Sequence, residues 1–312
     1  MQVGKQFLHR LSSMKTQQIS KEIESLKRKV NALSREIASV KSSFLEDPSP
    51  VKRMLRSRGL QVFRENPTEK LFFLPDILPP DRGRFYELMK RYSFRLILRD
   101  IIKQQDWFQI HNLTHYCSLK TAQRYADLLL EMKMIVQEGK NKFRTLRSPI
   151  DSFGPTLEWF ISEMFRREFT SPAIYGVSVK ETPTGGDYDV MASWNRRLVY
   201  VEVKSSPPRG IELKQVTAFF SRIEDLIPDV AVLFNDTQLR MKDKLVLLFE
   251  EELERRYGKA FKTFSPVTRL VGELFHVQNH IFIVNSRKDV VENFSICLKH
   301  YLRHGERRPQ GR

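Results

Sequence analysis

Gly185-Gly-Asp-Tyr-Asp-Val-Met-Ala-Ser-Trp-Asn-Arg-Arg-Leu-Val-Tyr-Val-Glu-Val-Lys-Ser-Ser206 sets two carboxylates, Asp187 and Asp189, ahead of a Glu202-Val-Lys204 triplet. The stretch predicts two strands joined in a hairpin through Asn195. Side chains alternate faces along a strand, so Asp187 and Asp189 are expected on one side, and Glu202 and Lys204 share a side of the next strand. The opposite face of that second strand is Val199, Val201 and Val203, a row that belongs in a core. Charged groups avoid burial unless paired or metal-bound, so three acids and a lysine on a small apolar hairpin predict a site. The competing reading is the solvated face of an edge hairpin.

Outward from the hairpin, Gly154 opens a helix with Leu157, Phe160, Ile161, Met164, Phe165 and Phe169 on one face. Strands are expected at Ala173–Lys180, Tyr188–Trp194 and Leu198–Ser205, then a helix from Ile211 to Leu226 and an apolar strand Val230–Phe234. The order is α-β-β-β-α-β. Further on, an amphipathic helix is expected over Leu239–Tyr257, a strand at Ile281–Asn285 and a closing helix at Val290–His304. His276, His280, His300 and His304 share no metal-ligand spacing with acids and read as ordinary histidines.

With Asp189 on the second strand and Glu202-Val-Lys204 on the third, this order resembles the PD-(D/E)xK nuclease superfamily over about 85 residues. The resemblance implies a restriction-endonuclease-like α/β core, a mixed sheet flanked by helices. Gly186-Asp-Tyr-Asp-Val-Met-Ala192 and Val199-Tyr-Val-Glu-Val-Lys204 are most similar to archaeal Holliday-junction resolvases, Mrr-type restriction enzymes and RecB-like nucleases. Those families carry an acid near the start of the first helix, a few positions after a glycine; Gly154-Pro-Thr-Leu-Glu158 matches it. At 100° per residue Glu158 lies about 70° from the centre of the buried arc, Glu163 nearly opposite it and so in solvent, and Glu168 ranks as a weaker rival.

The resemblance implies Mg²⁺ or Mn²⁺ held by Asp189, Glu202, the backbone carbonyl of Val203 and Glu158, because hard cations favour carboxylate oxygens. Such an ion polarises a phosphate and lowers the pKa of an attacking water, while Lys204 positions that water and stabilises charge developing on the phosphate. The proline that names the motif is absent, and Tyr188 stands before Asp189. Between the two aspartates, Asp189 is favoured: Asp-Val-Met-Ala resembles the Asp-Leu-Ile-Ala of related families, and its 13-residue spacing to Glu202 suits the hairpin. Asp187 becomes an auxiliary ligand, and Gln215 matches a polar position often found near the metal in resolvase-like and RecB-like members. No small-molecule cofactor is expected.

A chain of 312 residues with 41% hydrophobic and 11% aromatic content suits about two folded domains. It holds no run of about 18 apolar residues and no apolar leader, so neither membrane insertion nor secretion is expected. Cys117 and Cys297 lie far apart with no metal-ligand neighbours, which fits a reducing compartment, the cytoplasm by default. The net charge is +16; residues 1–150 hold 29 Lys+Arg against 15 Asp+Glu, and residues 151–312 hold 24 against 22. This N-terminal excess points to a polyanionic partner, since Lys and Arg displace condensed counterions from phosphates.

Ile19, Ile23, Leu26, Val30, Leu33, Ile37, Val40 and Phe44 keep an unbroken heptad register. Ile23, Val30 and Ile37 at a with Leu26 and Leu33 at d favour a parallel two-stranded coiled coil, and Glu22 to Lys27 and Glu36 to Lys41 supply g–e charge pairs. A homodimer through residues 19–44 follows; the alternative is an amphipathic helix folded back on its own chain. Residues 46–80 read as a Pro- and Arg-containing linker. Helices at Phe94–Ile102, Ile110–Cys117 and from Ser118-Leu-Lys-Thr121 to Met132, then two strand-like runs around Gly139-Lys-Asn141, resemble a winged helix-turn-helix domain. That resemblance implies a third helix in the DNA major groove presenting Lys120, Gln123, Arg124 and Asp127, and a wing whose Lys140, Lys142 and Arg144 touch backbone. The expected plan is a coiled coil at 14–45, a linker at 46–80, a winged helix at 81–150 and a nuclease domain at 151–312. The expected function is a metal-dependent DNA endonuclease; the alternative is a non-catalytic dimeric DNA-binding regulator or architectural protein with an inactive nuclease-like domain.

Overall fold

The computed structural model describes residues 22–27, 29–30, 32–34, 49–104, 107–147, 149–180 and 182–305. The chain divides into two compact units, Met1–Ser49 and Pro50–Arg312. In the first, residues 22–27, 29–30 and 32–34 are helical, and Ile23, Leu26, Val30 and Leu33 of the heptad stripe are exposed. Ile19, Ile37, Val40, Phe44 and the Glu36–Lys41 pair lie outside the described residues.

The second unit is mixed α/β, built on one eight-stranded sheet flanked by helices. Its first helix, α1 (Pro50–Arg56), and first strand, β1 (Gln61–Arg64), occupy the segment expected to be a linker. Val51 and Leu55 anchor α1 because both are fully buried, and β1 pairs antiparallel with β4 (Ala173–Lys180) at the sheet edge. Four strand residues among arginines carry little periodic signal; their partner, more than a hundred residues away, creates the strand.

Helices α2 (Pro79–Met89) and α3 (Tyr92–Gln104) follow, then a 3-10 turn at Ile110–Leu113, helix α4 (Leu119–Glu131) and the hairpin β2 (Ile135–Gln137)–β3 (Phe143–Thr145). Ser118 starts α4 by accepting the Thr121 N–H at 3.2 Å, the N-cap role its sequence position predicts. Phe108 bridges antiparallel to Phe143 and so adds a short third partner to the hairpin.

The expected α-β-β-β-α-β order then appears as α5 (Gly154–Glu168), β4, β5 (Asp187–Trp194), β6 (Arg197–Lys204), α6 (Leu213–Leu226) and β7 (Val230–Asn235). The remaining elements are α7 (Leu247–Tyr257), α8 (Phe261–Phe264), β8 (Thr268–Val271), β9 (Leu274–Val277), β10 (Ile281–Asn285) and α9 (Val290–His304). A π-helical turn at Lys242–Val246 leads into α7, replacing the first half of the amphipathic helix expected over 239–257. The sheet order is β1-β4-β5-β6-β7-β10-β9-β8; β6, β7 and β10 run parallel, and the other neighbours are antiparallel. Among the described residues no helix is long and apolar enough to cross a membrane.

One apolar cluster runs from Leu71 and Phe85 through Phe94, Ile97 and Leu129 to Phe160, Val201, Phe282 and Phe294. Residues 81–150 and 151–312, expected as separate domains, therefore share a core. A buried ion pair ties them as well. Arg95 of α3, with no exposed surface, donates from Nε to Asp236 Oδ1 at 3.0 Å just beyond β7, and Arg99 donates to the Ser205 carbonyl at 2.5 Å just beyond β6. The opposite sheet face carries a second cluster, in which Phe219 of α6 stacks on Tyr200 and meets Phe249 of α7 at a tilt.

Candidate active site

β5 and β6 are paired from Trp194↔Arg197 up to Val190↔Val201. Past that point Asp189 takes over the ladder's role: its Oδ2 accepts the Val203 N–H at 2.6 Å. The carboxylate is thus wedged where the two strands part. On β6 the expected row Val199, Val201 and Val203 is buried in the cluster beneath α5, so Tyr200, Glu202 and Lys204 project from the other face.

Strict alternation fails at Asp189. Tyr175 pairs with Val190 in one apolar cluster, whereas Val177 pairs with Tyr188 in the other. Both strands therefore switch faces between those pairs, at Gly176 and Asp189. Gly176 makes this possible with φ +54°, and a Cβ there would stand 2.6 Å from Pro67 Cγ. The switch falls at Asp189 itself, so the simple alternation from which Asp187 and Asp189 were expected on one face does not run through this pair, although both raise the pKa of Glu158. Asp187 is exposed and accepts a hydrogen bond from Ser178 of β4.

Glu202 is 1% exposed and carries a full set of donors. Lys204 Nζ lies 2.6 Å from Oε1, Arg222 Nη1 donates to Oε1 at 2.8 Å and Oε2 at 2.7 Å, and the Tyr200 hydroxyl donates to Oε2. Burial alone would raise its pKa, but Lys204 and Arg222 outweigh burial and hold the carboxyl below its ordinary value. The other two acids behave oppositely. Glu158, on the first turns of α5, reaches toward Gly176, its Oε2 being 3.8 Å from where a Cβ would stand. Burial first, then the charges of Asp189, Glu202 and Asp187, push Glu158 up to about 9. Burial and Glu202 push Asp189 to about 7 against the pull of Lys204, the Val203 N–H and Arg222.

The structure thus brings Glu158, Asp189, Glu202, Val203 and Lys204 together at one fork in the sheet. Gln215 is not part of this group. Its Oε1 accepts the Glu212 N–H at 2.9 Å and closes a capping box at the start of α6, so helix-end chemistry explains it. Glu163, expected in solvent, is 8% exposed because Arg166 and Arg167, one turn on, pair with it at 2.7 and 2.8 Å. Glu168 is held by Lys90 at 2.6 Å and Tyr86 at 2.8 Å, away from the fork. The residue that sequence reasoning missed is Arg222. At 100° per residue it lies 60° from the buried Phe219, and a cation on the flank of a buried arc signals a buried partner.

Among the described residues no three His, Cys, Asp or Glu side chains converge as ligands for a metal ion. The acids nevertheless fit a hard divalent cation in their chemistry. Burial and the neighbouring acids hold the carboxyls of Glu158 and Asp189 above their ordinary pKa values against the pull of Lys204, a setting in which a divalent cation would stabilise both charged forms.

On the helix–hairpin part, Lys120, Gln123, Arg124 and Asp127 are all exposed on one side of α4, with Gln123 Nε2 donating to Asp127 at 2.8 Å. Lys140 is exposed at the hairpin tip. Lys142 packs 4.4 Å above the half-exposed Trp107 ring, and Arg144 is paired with Glu138.

No protein-family model matches the chain, and no curated protein does. Solved structures do align with it, among them the following two. Protein VC1899 from Vibrio cholerae does so at 13% identity and a TM-score of 0.48, covering 82% of this chain and 62% of that one. Can2 from Sulfobacillus thermosulfidooxidans, in complex with cyclic tetra-adenylate, does so at 13% identity and 0.45, covering 81% and 61%. The chain spans about six-tenths of the length of each, and likeness at this level assigns no residue a role.

Proposed function

We propose that this chain is a metal-dependent DNA endonuclease of the PD-(D/E)xK type. The observation that carries the reading is the strand fork itself: Asp189 wedged against the Val203 N–H, Glu202 and Lys204 beside it, and Glu158 arriving from the preceding helix. Asp189 and Glu158 would hold Mg²⁺ or Mn²⁺, with Glu202 and the Val203 carbonyl completing the set and Asp187 an auxiliary ligand. The ion supplies an activated water and a Lewis acid for the phosphate. Lys204, fixed by Glu202, places a cation beside the charge that develops on the phosphate oxygens. The helix–hairpin part acts as a winged helix that holds DNA through Lys120, Gln123, Arg124, Lys140, Lys142 and Arg144. The heptad stripe of residues 19–44 joins two copies in a parallel coil, so that two sites address two strands.

Supercoiled, linear and branched DNA incubated with Mg²⁺ or Mn²⁺ tests the chemistry. Cutting by the wild type that is lost in Lys204→Ala and Glu202→Ala supports it; cutting by those variants at the wild-type rate sinks it. A second reading, a dimeric DNA-binding regulator with a silent nuclease fold, is favoured by the saturation of Glu202 and the lack of three converging ligands. It predicts tight DNA binding with no cutting under any metal. Deleting residues 1–45 should halve the sedimentation mass; an unchanged mass removes the coil from the dimer interface.

A further inference from the structure

Arg222 has more binding capacity than Glu202 uses. Only Nη1 contacts Glu202, bridging both carboxylate oxygens with one nitrogen, although guanidinium and carboxylate pair best through two parallel N–H···O bonds. Nε is buried without a hydrogen-bond partner, an arrangement folded proteins rarely tolerate without a reason. Nη2 is turned the other way, 3.6 Å from where a Cβ on Gly186 would stand. The turn it faces is Gly185–Gly186, both at positive φ, and nothing lies within 4 Å of the Cβ position at Gly185. A guanidinium anchored at one nitrogen and 18% exposed, its Cζ 5.8 Å from the Tyr188 ring centroid, therefore turns its second nitrogen to a glycine turn that carries no side chain beside it.

We propose that Arg222 and the Gly185–Gly186 turn form a subsite for a backbone phosphate of DNA, and that a phosphate bound there draws Arg222 away from Glu202. The proposal rests on the nuclease reading and deepens it. It accounts for the saturation of Glu202 in the free protein: the carboxylate stays neutralised until a phosphate takes its arginine. Phosphate suits the fork geometry of arginine better than the one-nitrogen contact does, and a residue already anchored loses little freedom on binding. Arg222 is then both the counter-ion of an unloaded site and the contact that registers the nucleic acid beside Asp189.

The test is a binding measurement, so it holds whether or not the protein cuts. Anisotropy of a short labelled DNA duplex is recorded in EDTA over a salt series for the wild type, Glu202→Gln, Arg222→Lys and the double variant Glu202→Gln with Arg222→Gln. The double variant removes both charges together, so no carboxylate is left without its arginine as it would be in Arg222→Gln alone. Releasing Arg222 in Glu202→Gln should tighten binding relative to wild type. The double variant should lose that gain, falling about tenfold below Glu202→Gln, with a salt slope shallower by about one phosphate. Arg222→Lys should fall between. A double variant within twofold of Glu202→Gln, with the same salt slope, overturns the proposal, as does absence of DNA binding by every form. Absence of cutting by the wild type under any metal, together with the expected binding pattern, would sink the nuclease reading and leave this subsite standing.

Discussion

Glu158→Gln should stabilise the metal-free protein, and increasingly so as pH rises. Burial and three neighbouring acids raise Glu158 to about 9 from an ordinary 4.5. The folded state therefore keeps a proton that the unfolded chain has released, and stability falls as pH climbs from about 4.5 to about 9. One fully linked proton is worth about 1.4 kcal/mol per pH unit. Between pH 6 and pH 8 Glu158 thus accounts for about 3 kcal/mol, or about 6–12 °C of melting temperature at about 2–4 °C per kcal/mol for a domain of this size. Glutamine keeps the shape and has no proton to release, so its melting curve in EDTA should be flatter by that amount. Asp189→Asn should flatten the curve at lower pH, because the Asp189 window closes at about 7. Added Mg²⁺ should lift the wild type most at pH 8 and lift Glu158→Gln far less. Thermal melts of the two proteins that stay parallel from pH 6 to 8 would refute the electrostatic account of the site.

Three further outcomes follow from particular contacts. Arg95→Ala strands Asp236, which is 1% exposed and otherwise held by Ser286; the loss should reach about 3–5 kcal/mol by denaturant melts, and Arg95→Met with Asp236→Asn should regain much of it. Gly176→Ala meets both a left-handed backbone and Pro67, so it should lower the melting temperature and cut DNA cleavage with it; a wild-type melt would show that the face switch needs no glycine. Arg124→Ala and Lys142→Ala should weaken DNA binding and flatten its salt dependence, and unchanged affinity would make the helix–hairpin part a protein-contact surface.

The α-β-β-β-α-β order was legible because each of its strands is long, apolar and bounded by turn residues, and Ile281–Asn285 and Val290–His304 were legible for the same reason. Pro50–Arg64 was not, since its helix is short and its strand exists only against β4. Asp189, Glu202 and Lys204 are legible from the alternation and charge of the hairpin itself, whereas Glu158 and the Val203 carbonyl rest on the resemblance, the helix angle of Glu158 being compatible with it. The face switch at Gly176 and Asp189 is invisible to period-two reasoning, which assumes the alternation it would need to test. Gln215 shows the reverse error: Glu212-x-x-Gln215 is a helix-start signature, and that local role was available before any comparison with nucleases. Arg222 carried a usable signal, a cation beside Phe219, but its partner comes from a different strand.

The three acids at the fork are driven apart in proton affinity by what surrounds them, and this division assigns their work. Glu202 sits below its ordinary pKa because the protein has already supplied its cations, Lys204 and Arg222. Glu158 and Asp189 sit above theirs because burial and the neighbouring acids outweigh the pull of Lys204, joined at Asp189 by Arg222. A site that only needed to be stable would place its arginine between all three acids, or replace one of them with an amide. Here Lys204 and Arg222 bond to Glu202 and act on Asp189 only at a distance. On the nuclease reading proposed above, a metal ion would neutralise Asp189 and Glu158. On the reading proposed above, a phosphate arriving with its metal would serve both, the metal at Asp189 and Glu158 and the phosphate at Arg222, so binding of either should strengthen binding of the other.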